Sequence, residues 1–216
     1  MDRPPERRFA DALAKAHEDW AAADAAACAA RAGCRLAEGG VLVQLFGTPH
    51  LVTHPGGEVM EAAVEPEGAS APGRPAHVAV TILLLHYLLT ADGTPGEGSW
   101  VSYRELPDGL FYAYSFQQRA EQPVVRAFAG STASLDGFRA AARALGGAAL
   151  TLGDASFRFV ALPRVDVAVL VWAGDDEEPG EARVLFDATA GHYLPAEDLA
   201  GLGGQLAHRL LAAPRG

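Results

Sequence analysis

The sequence predicts a single α+β domain over residues 1–216, with an antiparallel sheet of about five strands packed with helices. Three observations predict it. Apolar residues recur at helical spacing near both ends of the chain. Three Val- and Phe-rich runs, "SFRFVAL", "VDVAVLVWA" and "ARVLFDA", crowd the last third between turn residues, the pattern of strands joined by hairpins. Between these regions, "AHVAVTILLLHYLLTADG" is apolar all the way round, as in a helix buried at a core. Helices at the ends of an antiparallel sheet make an α+β arrangement.

Taken in order, residues 6–32 read as one long helix. Phe9, Leu13, Ala16 and Trp20 form an apolar stripe, the Ala-rich continuation has high helix propensity, and Gly33 is the stop. "VLVQLF" and "HLVTH", separated by "GTP", read as a hairpin. "PEGASAPGRP", residues 66–75, reads as a loop punctuated by Pro and Gly. Residues 77–90 are expected to be a buried helix, since a Leu-rich second half outweighs the Val and Ile of the first. The Gly-rich residues 92–98 end it. "WVSYREL" is then an extended or turn segment, and "GLFYAYSFQQRAEQPVVRAF" reads as helical. "SLDGFRAAARALGG" is a helix with Ser134 as cap and Gly146 as close. After the three strands, "PAEDLAGLGGQLAHRLL" is a helix with Pro195 in its first turn, Glu197 and Asp198 at its positive end, and Leu199, Leu202, Leu206 and Leu210 on its buried face. Its glycines 201, 203 and 204 each cost about 1 kcal/mol in a helix, which close packing on a sheet would explain.

Composition excludes several classes. Half of the residues are hydrophobic and 20% are charged, which suits a sizeable core. The net charge of −10 disfavours nucleic acid and anionic membranes, because phosphate repels it. Lys15 is the only lysine, a bias read as coding rather than function. "MDRPPERRF" has no apolar run, so no signal peptide is expected, and "VAVTILLLHYLL" is about half the length needed to cross a bilayer. A cytoplasmic protein is expected. Cys28 and Cys34, spaced C-x5-C, cannot alone hold a zinc ion or an iron–sulfur cluster, and they are expected to be free thiols.

The candidate chemistry centres on "DDEEPGEARVLFDATAGHYLPAED", residues 175–198. Its first four acids sit between two strand-like runs and read as a solvated hairpin loop; calcium is the sharper alternative, though the spacing is not that of an EF-hand. Asp187 ends an apolar strand and His192 follows in a small-residue turn. The two could act as an acid–base pair, or Asp187 could simply accept backbone hydrogen bonds. Trp100, Tyr103, Arg104 and Glu105 cluster between two glycine-rich stretches, as at ligand pockets or at a core edge, and Arg104 could satisfy Asp187 bidentately. Asp154 lies in a tight Gly-Asp-x-Ser turn whose Ser156 has no local base. His86 in the apolar helix is a core histidine or, more sharply, a haem or corrinoid ligand. His50 and His54 fall on one face if both are on a strand, where they would make a surface metal pair. No metal set is assigned.

The stretches "LHYLLTADGTPGEGSWVSYRELPDGLFYAYSFQQR", "GDASFRFVALPRV", "VLVW" and "VLFDATAGHYLPAEDLA" resemble an uncharacterised prokaryotic, including bacterial, family known as domain of unknown function 3786. The resemblance covers residues 8–212. It implies no established activity. Many members occur in anaerobes, and some add a four-cysteine iron–sulfur module similar to that of corrinoid proteins, which this chain lacks. Members tend to carry an aromatic after the acidic loop, where this chain has Glu178-Pro179. Together these readings lead to the expectation of a small-molecule-binding, cofactor-binding or accessory protein, with a link to corrinoid or tetrapyrrole metabolism. Trp100, Tyr103, Arg104, Glu105, Asp154, Asp187 and His192 are its ligand-binding candidates and its cofactor is unknown. The alternatives are an enzyme built on Asp187 and His192, and a structural or assembly partner of another protein.

Overall fold

A computed structural model describes residues 5–61 and 73–214. The chain divides into two compact units. The first comprises residues 1–95, 162–164 and 192–194; the second comprises residues 96–161, 165–191 and 195–216.

The first unit opens with α1 (Pro5–Ala22) and α2 (Ala25–Ala32). These are two helices where the sequence suggested one, and the break has a local cause. The Asp24 carboxylate accepts hydrogen bonds from the amides of Ala26 and Ala27 at 3.0 and 3.1 Å. A short acidic side chain caps a new helix better than it continues an old one, by about 1 kcal/mol. Gly33 closes α2 in the left-handed conformation, φ 67°, as its lack of a side chain suggests. There follows a five-stranded antiparallel meander: β1 (Arg35–Ala37), β2 (Gly40–Leu45), β3 (Thr48–Thr53), β4 (Val59–Glu61) and β5 (Arg74–Pro75). The β2–β3 turn is made by Phe46 and Gly47, both with positive φ (48° and 76°), the handedness that matches strand twist in tight hairpins. Val41, Val43, Leu45, His50 and Val52 are buried, with Val43 opposite His50 and Val41 opposite Val52. Of the loop expected over residues 66–75, residues 66–72 lie outside the described residues, and Arg74–Pro75 form β5.

The helix expected at residues 77–90 is α3 (Val78–Thr90). Thr81, Ile82, Leu83, Leu84, Leu85, Tyr87 and Leu88 are all buried, and α1 and α2 pack against it. Tyr87 is fully buried, so its hydroxyl must be satisfied inside the protein. It donates to the carbonyl of Ala32 at 2.6 Å and accepts from the amide of Arg164 at 3.0 Å.

The second unit begins with β6 (Trp100–Ser102), a 3-10 turn at Tyr103–Glu105, and α4 (Gly109–Phe116). A π turn at Gln117–Glu121 leads into α5 (Gln122–Phe128), then α6 (Thr132–Ala144). Ser131 caps α6 by accepting from the amide of Ser134, so Ser134 is the capped residue and not the cap. β7 (Ala148–Ala149), β8 (Ala155–Leu162), β9 (Val165–Trp172) and β10 (Glu181–Asp187) follow, and α7 (Ala196–Ala212) ends the unit. The sheet order is β6-β10-β9-β8-β7. The last strand in sequence therefore pairs with the first, placing Asp187 opposite Trp100 and Phe186 opposite Val101. β9 is buried on both faces over Val167–Val171, as a central strand.

The α+β class stands, with one difference: the protein has two antiparallel sheets of five strands rather than one. α7 packs on α4, the π turn, α5 and α6. This contact accounts for only one of its glycines. A Cβ at Gly203 would lie 2.6 Å from the Phe116 ring, whereas at Gly201 it would meet nothing within 4 Å.

Candidate functional site

Asp187 is the most constrained of the expected residues. Its strand buries Ala182, Val184 and Phe186, and Asp187 itself is only 4% exposed, so a carboxylate there requires donors. The loop before β6 supplies them. Gly98 takes φ +70°, a conformation glycine adopts freely, and the adjacent amides of Glu97 and Gly98 donate to Oδ1 and Oδ2 at 3.3 and 2.7 Å. Thr189 adds its amide at 3.0 Å and its hydroxyl at 2.6 Å, both to Oδ1. Burial pushes the carboxyl up, but the Thr189, Gly98 and Glu97 bonds outweigh it and hold the acid below its ordinary range. Arg104 is not among these partners; it is exposed. The carboxylate thus ties the end of β10 to the loop that launches β6.

His192 belongs to the other unit. Its Nδ1 lies 2.7 Å from Asp92 Oδ2 and 3.3 Å from Thr94 Oγ1, on a surface where both side chains are half exposed. Asp92 is held down to about 2, first by the Thr94 amide and then by His192. Tyr193 donates to the Thr94 carbonyl beside them. The partners of Asp187 all lie in the second unit and those of His192 in the first.

The Trp100–Glu105 segment is divided by burial. Trp100 is half-buried in β6. Tyr103 is buried, stacks on Phe116 with ring centroids 4.2 Å apart, and donates to the Ala196 carbonyl at 2.8 Å. Burial pushes its phenol up to about 12. Glu105 is exposed and accepts from the amide and hydroxyl of Ser102, holding its own turn. Asp154 is likewise a turn residue: its carboxylate accepts from the Ala173 amide at 2.9 Å. Ser156 is buried and accepts from the Leu152 amide.

The acids of the β9–β10 loop are exposed. Asp175 accepts from the amides of Glu177 and Glu178 at 2.9 and 2.8 Å, an Asx-type turn. No group of three potential metal ligands occurs among the described residues. His50 and His54 do not share a strand face, because β3 ends at Thr53. His50 is buried with Nδ1 on the Thr48 carbonyl, and His54 packs edge-on against Trp20 with Nε2 on the Ala23 carbonyl. His86 is half-buried. Cys28 and Cys34 are free thiols, and burial pushes Cys34 up to about 12.

Three features were not anticipated. Glu121 is 8% exposed in the π turn, accepts from the Val184 amide of β10 at 3.2 Å, and lies 3.9 Å from Arg183. Burial raises its carboxyl, partly offset by those two neighbours. Pro123 was the available signal, since it has no amide to continue a helical ladder. Secondly, α4 exposes Leu110 (63%), Phe111 (83%), Tyr112 (41%) and Tyr114 (78%). Thirdly, an open groove of about 460 Å³ runs along α7, lined by Gly201, Gly204, Gln205, His208 and Arg209.

No curated protein matches the chain, and no solved structure matches it. The model of the domain of unknown function DUF3786 matches residues 24–209, which span Asp24 at the cap of α2, both sheets and most of α7. The chain therefore belongs to the DUF3786 family.

Proposed function

We propose that this chain is a cytoplasmic accessory protein that works by docking another folded protein on α4, and not by chemistry at Asp187 or His192. The observation that carries the reading is the cluster of Leu110, Phe111, Tyr112 and Tyr114 exposed on one eight-residue helix. Single exposed apolar residues are ordinary, but a contiguous aromatic patch is a mark of interaction surfaces. Tyr and Phe also provide large contact area at low entropic cost. The net charge of −10 argues against a nucleic-acid partner, and no helix among the described residues is long and apolar enough to cross a membrane. The acid–base reading is weaker, because the acceptor sites of Asp187 are occupied by its own loops.

The test is photo-crosslinking in the host from a benzophenone side chain at position 114, with position 176 in the acidic loop as control. An adduct formed at 114, absent at 176, abolished by Phe111→Ser and reconstituted from purified components supports the reading. No adduct, or equal adducts at both positions, sinks it.

The groove on α7 favours a second reading, a small-molecule or cofactor carrier. Gly201 and Gly204 leave the helix backbone bare there, and Gln205, His208 and Arg209 supply donors for an anionic ligand, a carboxylated tetrapyrrole included. Visible absorbance or a copurified mass that disappears in His208→Ala/Arg209→Ala would favour this reading. A colourless, ligand-free preparation would count against it.

A further inference from the structure

We infer that the turn between β3 and β4 is a strap over the end of α1 that opens locally, and that His17 beneath it sets how often it opens. Among the described residues, Nε2 of His17 is the one buried side-chain nitrogen or oxygen without a hydrogen-bond partner. Such atoms are uncommon in folded proteins, and each has a physical reason. An imidazole nitrogen is a donor or an acceptor in either tautomer, so no placement of the proton removes the cost. The exposed Glu58 carboxylate does not relieve it, being held by the Thr53 hydroxyl.

The cover comes from "THPGGE", residues 53–58. His17 and Trp20 are three residues apart and share one face of α1. The Gly57 backbone lies on both. A Cβ there would stand 2.8 Å from Cδ2 and 3.3 Å from Nε2 of His17, and 3.4 Å from Cδ1 of Trp20. Gly57 is buried at φ +77°, a conformation that glycine adopts freely and other residues resist. Space and backbone angle together therefore require glycine at the seat of the strap.

The ends of the strap are fastened and its middle is held lightly. Thr53 pairs with Gly40 in the sheet, and its carbonyl accepts from Trp20 Nε1 at 2.8 Å. The His54 amide donates to the Gly39 carbonyl at 2.9 Å, and its Nε2 lies 3.1 Å from the Ala23 carbonyl. At the far end Val59 is buried and pairs with Val52. Between them Pro55 and Gly56 are exposed, and Gly57 donates its amide to the Thr53 carbonyl at 2.9 Å. Pro55 has no amide to give, and two consecutive glycines leave the backbone free to turn. The strap can lift over residues 55–57 while β3 and β4 stay paired. Lifting gives up the Gly57 bond, which water replaces, and returns Nε2 to solvent. This is a local opening that leaves the core intact, and it bares the imidazole together with the edge of the Trp20 indole.

The experiment is hydrogen exchange of the full chain read by NMR. The Gly57 amide should exchange faster than that of Leu84, deep in α3. His17→Leu and His17→Met remove the polar atom, keep an apolar body in its place and suit a helix. Both should slow Gly57 exchange, relative to Leu84, by about five- to a hundredfold, the change equivalent to one buried polar atom left unpaired. Gly57→Ala should do the reverse: the amide at position 57 exchanges faster and the Trp20 indole resonance shifts. The two His17 variants decide the matter even where Gly57→Ala does not fold. If His17 only fills space, its replacement loosens the strap and speeds the exchange; that outcome, or an unchanged rate, overturns the inference. So does an imidazole nitrogen spectrum of the wild type in which Nε2 of His17 is hydrogen-bonded.

Discussion

Replacing Asp187 by Asn tests whether this buried carboxylate is an anchor of the fold. The side chain keeps its size and loses its charge and one acceptor. In the native protein Oδ1 takes Glu97 N, Thr189 N and the Thr189 hydroxyl, and Oδ2 takes Gly98 N at 2.7 Å. An amide can place its oxygen at the first position, but its NH2 then faces the Gly98 amide, donor against donor; turned over, it abandons three donors instead. A buried donor left unpaired costs about 1–3 kcal/mol, and the remaining bonds lose their charge assistance. The expected loss is therefore about 2–4 kcal/mol, read as a lower urea midpoint at unchanged slope. Hydrogen exchange gives a local readout, since the Gly98 and Thr189 amides should lose protection first. The pH dependence has a definite sign. The native carboxyl is held below its unfolded value, so its contribution is fully present above about pH 4 and is lost as pH falls through the lower native value. Asp187→Asn should therefore flatten the acid limb of the stability curve. A variant within about 0.5 kcal/mol of wild type, with the Gly98 amide still protected, would refute the anchor reasoning.

Other outcomes follow from the same geometry. Gly203→Ala should destabilise by about 1–3 kcal/mol, because its new methyl meets the Phe116 ring, whereas Gly201→Ala, with open space around it, should stabilise by about 0.5–1 kcal/mol; chemical denaturation that finds both with one sign would count against the packing of α7. Carboxyl NMR should find Asp92 titrating near 2. Because the Thr94 amide is the larger cause, His192→Ala should raise that value only partway to normal, and full restoration would make the imidazole the dominant partner. Neutralising Asp175, Asp176, Glu177 and Glu178 to Asn and Gln should move the thermal midpoint by no more than about 2 °C, since an Asn at 175 can keep the Asx turn that Asp175 forms. A large fall in scanning calorimetry would mean that the loop has a structural role beyond that turn.

By itself the sequence determined the elements whose signals are local. α3 was legible because thirteen residues with no charge and apolar on every side can be stable in water only as a buried helix. β8, β9 and β10 were legible because β-branched and aromatic runs between turn residues suit a pleated, half-buried surface. Gly33 and the exposed acidic loop follow from backbone freedom and solvation, which again need only neighbours in the chain. The break at Asp24 was equally local, but an Ala-rich flank on both sides concealed it. Tertiary structure decided the rest. That there are two sheets, and that β6 pairs with β10 so that the amides of Glu97 and Gly98 reach Asp187, depends on partners about ninety residues apart. Strand patterns along the chain specify which face is buried but not which strand lies alongside. The same limit applies to the aromatics of α4. Phe111 and Tyr114 have the composition of a core and lie in solvent, while Phe116, two residues on, is buried against Tyr103 and Gly203. Hydrophobicity sets the free energy available from burial at each position, but only the packing of the other elements determines which of those side chains is covered.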